Sequence, residues 1–288
     1  MRVIVIGAAG RLGSKLMSLL PASYETIGAD VAGDTVEHID VTDFAATKAF
    51  ITGQKPDIVI HTAAWTDVDG CAQEPEKALT INGYGTQNVA VATAACGAAM
   101  LYVSTNEVFD GTANRPYYEY DRTNPINPYG YSKVVGERAL MSLNPRHYIV
   151  RTSWLFAHGG RNFIQAILGA AKADKPLRVV INEIANPTYT DDLAAGIVKL
   201  IETERYGIYH LVNEGACSRW DFARYALDKA GFKETPIARI STHEWPRPSV
   251  PPAYSSLANV AAAAQGIQLR PWQKAVDAFL EREGLLVS

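Results

Sequence analysis

Short runs of β-branched residues alternate with longer amphipathic stretches through the first half of the chain. Val3–Ile6 is apolar throughout and reads as a buried strand, followed by helical spacing over Leu12–Leu20. Glu25–Ala29 reads as a second strand, and Ile58–His61, entered from Lys55-Pro56-Asp57, as another. Asn82–Ala95 has helical character and leads to the strand Met100–Ser104; Tyr131–Met141 repeats the pattern and leads to His147–Thr152. Strands without polar alternation, separated by helices, predict a parallel sheet covered on both faces. The fold expected is α/β, a Rossmann-type doubly wound sheet.

The second half is less regular. It predicts helices over Asn162–Ala173, after Gly159-Gly160, over Asp191–Glu202, and over Arg219–Ala230, which Gly231 stops. Asp191 and Asp192 fall in a first helical turn, where the helix dipole favours acid. Four prolines between Trp245 and Pro252 require an extended loop. A last helix spans Gln273–Glu283. The division expected is a dinucleotide-binding domain over 1–153, its sheet completed from about 180–212, with a smaller substrate lobe from 154–179 and 213–288.

With 288 residues and a formal net charge of −3, the chain has no electrostatic footprint for nucleic acid or an anionic membrane. Cys71, Cys96 and Cys217 are odd in number and form no Cys-x-x-Cys pair, and the histidines lack His-x-x-x-His spacing. A disulfide framework or zinc site is not expected, and a reducing, cytoplasmic setting fits. The first apolar run is too short for a signal sequence or a membrane span.

Candidate chemistry begins directly after the first strand, at Gly7-Ala8-Ala9-Gly10-Arg11-Leu12-Gly13. Glycines let the backbone approach a pyrophosphate, and the helix that follows offers it unpaired N–H groups. The spacing is Gly-x-x-Gly-x-x-Gly rather than Gly-x-Gly-x-x-Gly, and a ligand-free turn is the alternative. Asp30, 17 residues beyond Gly13, suits the adenosine ribose hydroxyls and repels a 2′-phosphate, which favours NADH slightly over NADPH. Arg11 could neutralise such a phosphate, and a plain strand-end aspartate is the competing reading. Asp40 and Val41 begin the next loop and could border adenine.

Tyr129 and Lys133 stand four apart and share one helical face. An ammonium favours the phenolate and brings the tyrosine pKa towards working pH. Tyr131 is a decoy, because Val135 occupies its partner position. Thr105 follows the strand Met100–Ser104, at the carboxyl edge where parallel sheets gather ligands. Its hydroxyl could hold a carbonyl oxygen beside Tyr129; Ser104 is the alternative donor, and a structural turn the other possibility.

In that order and spacing these residues resemble the extended short-chain dehydrogenase/reductase superfamily, and within it the dTDP-4-dehydrorhamnose reductase family. The similarity spans nearly the whole chain. It includes His61–Asp69, Val103–Gly111, Tyr129–Lys133, Arg151–Trp154, Asn186–Thr190 and Leu269–Trp272. The resemblance implies catalytic Thr105, Tyr129 and Lys133, with Lys133 also on the nicotinamide ribose. It implies Ala63 and Ala64 against the cofactor, and Trp65, Trp154, Asn162 and Phe163 facing a nucleotide-sugar substrate. The activity implied is NAD(P)H-dependent reduction of a 4-keto group, by a monomer or homodimer.

Several departures stand out. Glu107 replaces a tyrosine usual in the family, and is expected to contact the sugar. Thr-x-Glu-Val also resembles nucleotide-sugar 4,6-dehydratases, where Asp-Glu supplies acid and base, but here the acid position is Asn106. Pro251-Pro252 stand where the family places Arg-Pro, so Arg247 could take over a diphosphate contact, or be a solvated loop arginine. Lys15 occupies a place where some members carry an acid linked to a metal-bridged dimer, so no metal is expected. A dehydratase or epimerase using Glu107, and a non-catalytic dinucleotide-binding regulatory subunit, remain as alternatives.

Overall fold

The computed structural model describes residues 1–160 and 162–287. The first strand, β1 (Arg2–Ile6), has Val3 to Ile6 fully buried, as its unbroken β-branched run requires. After it come α1 (Arg11–Leu19), β2 (Glu25–Asp30), β3 (Glu37–His38), α2 (Phe44–Gln54) and β4 (Ile58–His61). Two short helices, α3 (Val68–Gln73) and α4 (Pro75–Ala78), lead through a π-helical turn (Leu79–Tyr84) into α5 (Gly85–Cys96). Then follow β5 (Ala99–Thr105), a 3-10 turn (Asn106–Val108), α6 (Pro128–Leu143) and β6 (His147–Thr152).

Beyond β6 lie β7 (Leu155–Phe156), α7 (Phe163–Lys172), β8 (Leu177–Val180), β9 (Ile184–Ala185), β10 (Thr188–Tyr189) and α8 (Thr190–Ile201). The remaining elements are β11 (Gly207–His210), β12 (Cys217–Ser218), α9 (Arg219–Lys229), β13 (Ile237–Ile240), α10 (Val260–Ala263) and α11 (Trp272–Arg282).

Seven strands form one parallel sheet in the order β11-β6-β5-β4-β1-β2-β3. Leu12 and Leu16 of α1 and Leu193 and Ile197 of α8 share a core with one face; Ile51, Val89, Ala90 and Leu140 of α2, α5 and α6 cover the other. This is the doubly wound Rossmann arrangement. The chain runs outward from β1 to β2 and β3, then returns to β4 on the opposite side of β1. That reversal opens a crevice at the carboxyl ends of the strands, where such sheets bind ligands.

The smaller lobe has its own core, with Phe156, Phe222, Trp272 and Phe279 packed together. Only β11 extends the large sheet past β6. The segments around 184–189 instead make two-stranded pairs, β9 with β12 and β10 with β7, while β8 pairs with β13. Within the 180–212 stretch expected to complete the sheet, β11 does so beside β6, while β9 and β10 make the short pairs outside it, which have no hydrophobic period of their own. Lys15 is joined to Asp191 at 2.7 Å, and Arg282 reaches the same carboxylate at 2.7 Å, tying α1, α8 and α11 together. Among the described residues no helix is long and apolar enough to cross a membrane.

Candidate active site

A cleft of about 1280 Å³ runs along the crevice. Gly7, Gly10, Arg11, Leu12 and Gly13 line one end of it. Gly7 has φ 89°, and a Cβ there would lie 2.5 Å from the Ala63 amide nitrogen. A Cβ at Gly13 would overlap the Gly7 carbonyl oxygen and come within 2.8 Å of Ala8 Cα. The loop therefore lies closer to β4 and to its own helix than any side chain allows. Gly10 caps α1 without any side-chain hydrogen bond, which leaves the helix N-terminus able to receive an anion. A glycine cradle at an uncapped helix start fits the pyrophosphate of a dinucleotide.

Asp30, at the end of β2, is fixed beside this loop. Its Oδ2 accepts from the Ala9 N–H at 3.0 Å and its Oδ1 from the Ala32 N–H at 3.3 Å. Asp40 accepts from the Thr42 N–H and hydroxyl, while Val41 is buried against Gly85; both line the cleft. Ala63 and Ala64 line it from the end of β4.

Thr105 ends β5 and starts the 3-10 turn, accepting from the Glu107 N–H at 3.2 Å and donating to Asn106 Oδ1 at 3.2 Å. Helix α6 begins with Asn127 as its cap and Pro128 in its first turn, which projects Tyr129 and Lys133 into the same cleft. Gly130 makes this approach possible, since a Cβ there would overlap the Glu107 carbonyl. Nothing in the local sequence pattern singles out this glycine. Tyr129 is almost wholly buried, and burial first, then the Glu107 charge, pushes its phenol up, while the Thr105 hydroxyl acts in the opposite sense. The four-residue spacing predicts that Lys133 pulls the phenol down. In the structure Lys133 is itself buried and pushed down to about 7, with Glu137 partly restoring its charge. Its Nζ lies 4.3 Å from the centre of the Tyr102 ring.

Trp65, Trp154 and Glu107 also line the cleft. Trp154 takes a left-handed backbone (φ 41°), uncommon for a bulky side chain and a mark of strain at a site. The Glu107 carboxyl is raised by burial, against the Asn127 amide, which donates to Oε2 at 2.6 Å, and the nearby Arg219 and Arg247 charges. Three expected residues are not brought to the cleft wall. Asn162 is spent as the cap of α7, accepting from the Gln165 N–H at 3.0 Å and donating to the Ala157 carbonyl at 2.7 Å. Phe163 stacks on Phe222 in the lobe core. Arg247 donates to Asp69 at 2.9 Å, and the Ser249 N–H shares that carboxylate. The loop arginine is thus held by an ion pair.

Two further residues escaped sequence reasoning. Arg219 lines the cleft with its guanidinium 3.6 Å from the Trp154 ring centre. Asn82, fully buried in the π-turn, accepts from the Trp65 N–H at 2.8 Å and donates to the Trp65 carbonyl and to the Ser132 hydroxyl, both at 3.0 Å. It couples the wall of the cleft to α6. A π-turn inside a helix often marks such a place, but it carries no sequence signature here.

Comparison with known proteins agrees with this geometry. The family described as RmlD substrate binding domain matches residues 1–284. A spore coat polysaccharide biosynthesis protein, SpsK, of Bacillus subtilis is 37% identical over 281 residues, covering 97% of each chain. A dTDP-4-dehydrorhamnose reductase of Aggregatibacter actinomycetemcomitans is 36% identical over 289 residues, covering 96% of this chain and 97% of that one. The solved dTDP-4-dehydrorhamnose reductase of Bacillus anthracis, in complex with NADP, superposes with a TM-score of 0.92 at 35% identity, over 98% of this chain and 99% of that one. A glycine cradle, a strand-end threonine and a tyrosine–lysine face in one crevice, with likeness over almost the full length, show that the chain belongs to the RmlD substrate-binding family, that of the dTDP-4-dehydrorhamnose reductases.

Proposed function

We propose that this chain is an NAD(P)H-dependent oxidoreductase that reduces the 4-keto group of a nucleotide-activated 6-deoxyhexose, with dTDP-4-dehydrorhamnose the foremost candidate. The observation that carries the reading is the convergence of Thr105, Tyr129 and Lys133 in the cleft that the Gly7–Gly13 loop opens. A bound nicotinamide dinucleotide would supply the hydride; Gly7, Gly10 and Gly13 would hold its pyrophosphate and Asp30 its adenosine ribose, with Ala63 and Ala64 packed along it.

Tyr129 donates the proton that neutralises the developing alkoxide, and its raised phenol is protonated when needed. Thr105 holds the carbonyl oxygen beside that phenol. Lys133 orients the nicotinamide ribose and sets the charge behind Tyr129. Trp65 and Trp154 flank the sugar nucleotide, and Glu107 orients sugar hydroxyls from its seat on Asn127. The Asp30 carboxylate opposes a 2′-phosphate, so NADH should serve at least as well as NADPH, although the Bacillus anthracis relative holds NADP.

The test is stoichiometric oxidation of NADH or NADPH by purified protein on addition of dTDP-4-dehydrorhamnose, against a panel of other nucleotide-linked 4-keto sugars. Reduced cofactor left unconsumed, with deuterium entering C5 of a nucleotide-linked hexose in D₂O under catalytic NAD⁺, overturns the reductase reading.

A further inference from the structure

Directly beneath the catalytic face lies a polar cluster that neither packing nor the proposed reaction has so far used. Ser104, Glu137 and Arg151 are 3%, 1% and 2% exposed. The Ser104 hydroxyl donates to Glu137 Oε1 at 2.6 Å. Arg151 grips the same carboxylate with both arms, Nε to Oε1 at 2.9 Å and an Nη to Oε2 at 2.7 Å. The other Nη of Arg151 donates to the Glu119 carbonyl at 3.2 Å, and the guanidinium lies 5.1 Å from the Phe109 ring centre.

The cluster adjoins the site, and Ser104 itself lines the cleft. Ser104 precedes Thr105 at the end of β5. Arg151 precedes Thr152, Ser153 and Trp154, which line the cleft. Glu137 is one helical turn beyond Lys133 on α6. Stability alone is a weak reason for such a cluster, because well-packed apolar residues commonly replace a buried ion pair at no cost or with a gain. Its position relative to Lys133 supplies a stronger reason.

We propose, resting on the role given to Lys133 above, that Glu137 is a positioning residue: it is the counter-charge that keeps the Lys133 amine an ammonium, and Ser104 and Arg151 hold that counter-charge in place. The groups around Lys133 support the assignment. Tyr129 and Glu137 stand one turn before and one turn after it on its own helix, and Cys71 faces it from α3, His61 from the end of β4, and Tyr102 from β5. Burial pushes the Cys71 thiol up to about 11 and His61 down to about 3, so both are neutral near pH 7. Tyr102 offers only its ring face. Glu137 is the carboxylate among them. Desolvation disfavours the ammonium, and an opposite charge one turn away offsets part of that loss.

The direct test follows the Lys133 Nζ resonance by NMR in protein carrying ¹⁵N-lysine, assigned by its disappearance in Lys133→Met. The wild-type amine should titrate near 7. In Glu137→Gln the midpoint should fall by about one unit, a tenfold change in the proton affinity of the amine. The alkaline limb of the ketone-reduction profile should move down with it. If Glu137→Gln leaves Arg151 unpaired and the protein does not fold, the pair Glu137→Gln/Arg151→Met removes both charges, and its midpoint should fall in the same direction but by less, because the opposing Arg151 cation is lost with the carboxylate. An unmoved midpoint, with activity lost equally at all pH values, overturns the proposal and leaves the cluster a structural clamp. The NMR titration needs no substrate. A protein that shows the shift yet reduces no 4-keto sugar therefore refutes the function proposed above and not the role of Glu137.

Discussion

Replacing glycine by alanine inside a helix ordinarily stabilises a protein by about 0.5–1 kcal/mol, because the unfolded chain loses freedom. Gly13→Ala should do the reverse. Gly13 is buried in the first turn of α1, and the added Cβ would overlap the Gly7 carbonyl oxygen, 2.7 Å from its carbon and 2.8 Å from Ala8 Cα. All three obstacles are backbone, so no side chain can swing aside. Overpacking of this kind costs about 1–3 kcal/mol, which exceeds the entropic gain. In a chain of this size that is a fall of a few degrees in Tm. Relief requires the β1–α1 loop to move off its helix, and the Gly10 N–H to Gly7 carbonyl bond at 3.0 Å moves with it. In the proposed role the same backbone would cradle the pyrophosphate, so NADPH affinity should drop by about tenfold or more, equivalent to about 1.4 kcal/mol. Gly53→Ala is the control. That glycine lies in α2, with nothing within 4 Å of the position an added methyl would take, and the change should raise Tm. Thermal melts and cofactor-fluorescence titrations read both variants. A Gly13→Ala protein that melts no lower than wild type and binds NADPH within about twofold, a difference under about 0.5 kcal/mol, would refute the close-approach reasoning.

Tyr129→Phe removes the transferable proton and little else, so turnover should fall about 10²–10⁴-fold with cofactor affinity nearly unchanged; more than about a tenth of the wild-type rate remaining would eliminate it as the acid. Asp30→Ala removes the carboxylate that accepts from Ala9 and Ala32, and kcat/KM ratios for NADH over NADPH should shrink or invert; an unchanged ratio would show that Asp30 does not read the ribose. His61 and His210 are buried and held to about 3, so between that value and 6.5 the unfolded chain binds protons the folded one does not. Stability therefore rises with pH across this window and is lost on acidification, by about 2 kcal/mol per histidine at pH 5 before relaxation. Urea melts of His61→Gln and His210→Gln at pH 7 and pH 5 test it: the acid penalty should shrink in each, and equal penalties in wild type and variants would exclude both histidines.

The central sheet was legible because its strands are buried on both faces and therefore run apolar without alternation, as in Val3–Ile6 and Ile58–His61. That the glycine loop, Thr105, Tyr129 and Lys133 line one cleft was legible for a related reason: each is tied to a local element, a strand end or a helix face. Helix α2 was not, since Phe44–Gln54 mixes alanine, threonine and lysine without a clear apolar stripe, and its stop is set by Lys55 in a left-handed conformation. What joins distant segments was equally hidden. Arg247 and Asp69 are far apart in the chain, as are Asn106 and Ser255, and no local period announces either pair. Glu137 reads along the sequence as one more polar residue of α6, and only the fold turns it inward. Asn162, placed at the substrate by family likeness, is seen here in another role, its amide capping α7 and reaching the Ala157 carbonyl.

The electrostatics at the end of β5 also bear on the direction of the chemistry. Elimination needs an acid and a base side by side, and the place of the acid is held by Asn106, whose amide nitrogen donates to Ser255 at 2.6 Å and whose oxygen accepts from Thr105. Both ends are engaged within the protein, and the group has no proton to ionise. Glu107 then remains without an acid beside it, and after burial its charge is the next cause that raises the Tyr129 phenol. A reaction that begins by oxidising the sugar, as elimination and epimerisation through a 4-keto intermediate do, needs Tyr129 as a base, and that charge works against it. A reaction that begins from the ketone needs Tyr129 protonated at the outset, and the same charge keeps it so, at the cost of making the phenol a weaker acid. What sets this chain apart from elimination is therefore Asn106, which has no proton to ionise at the place of the acid, while Glu107 sets only the protonation state from which Tyr129 starts.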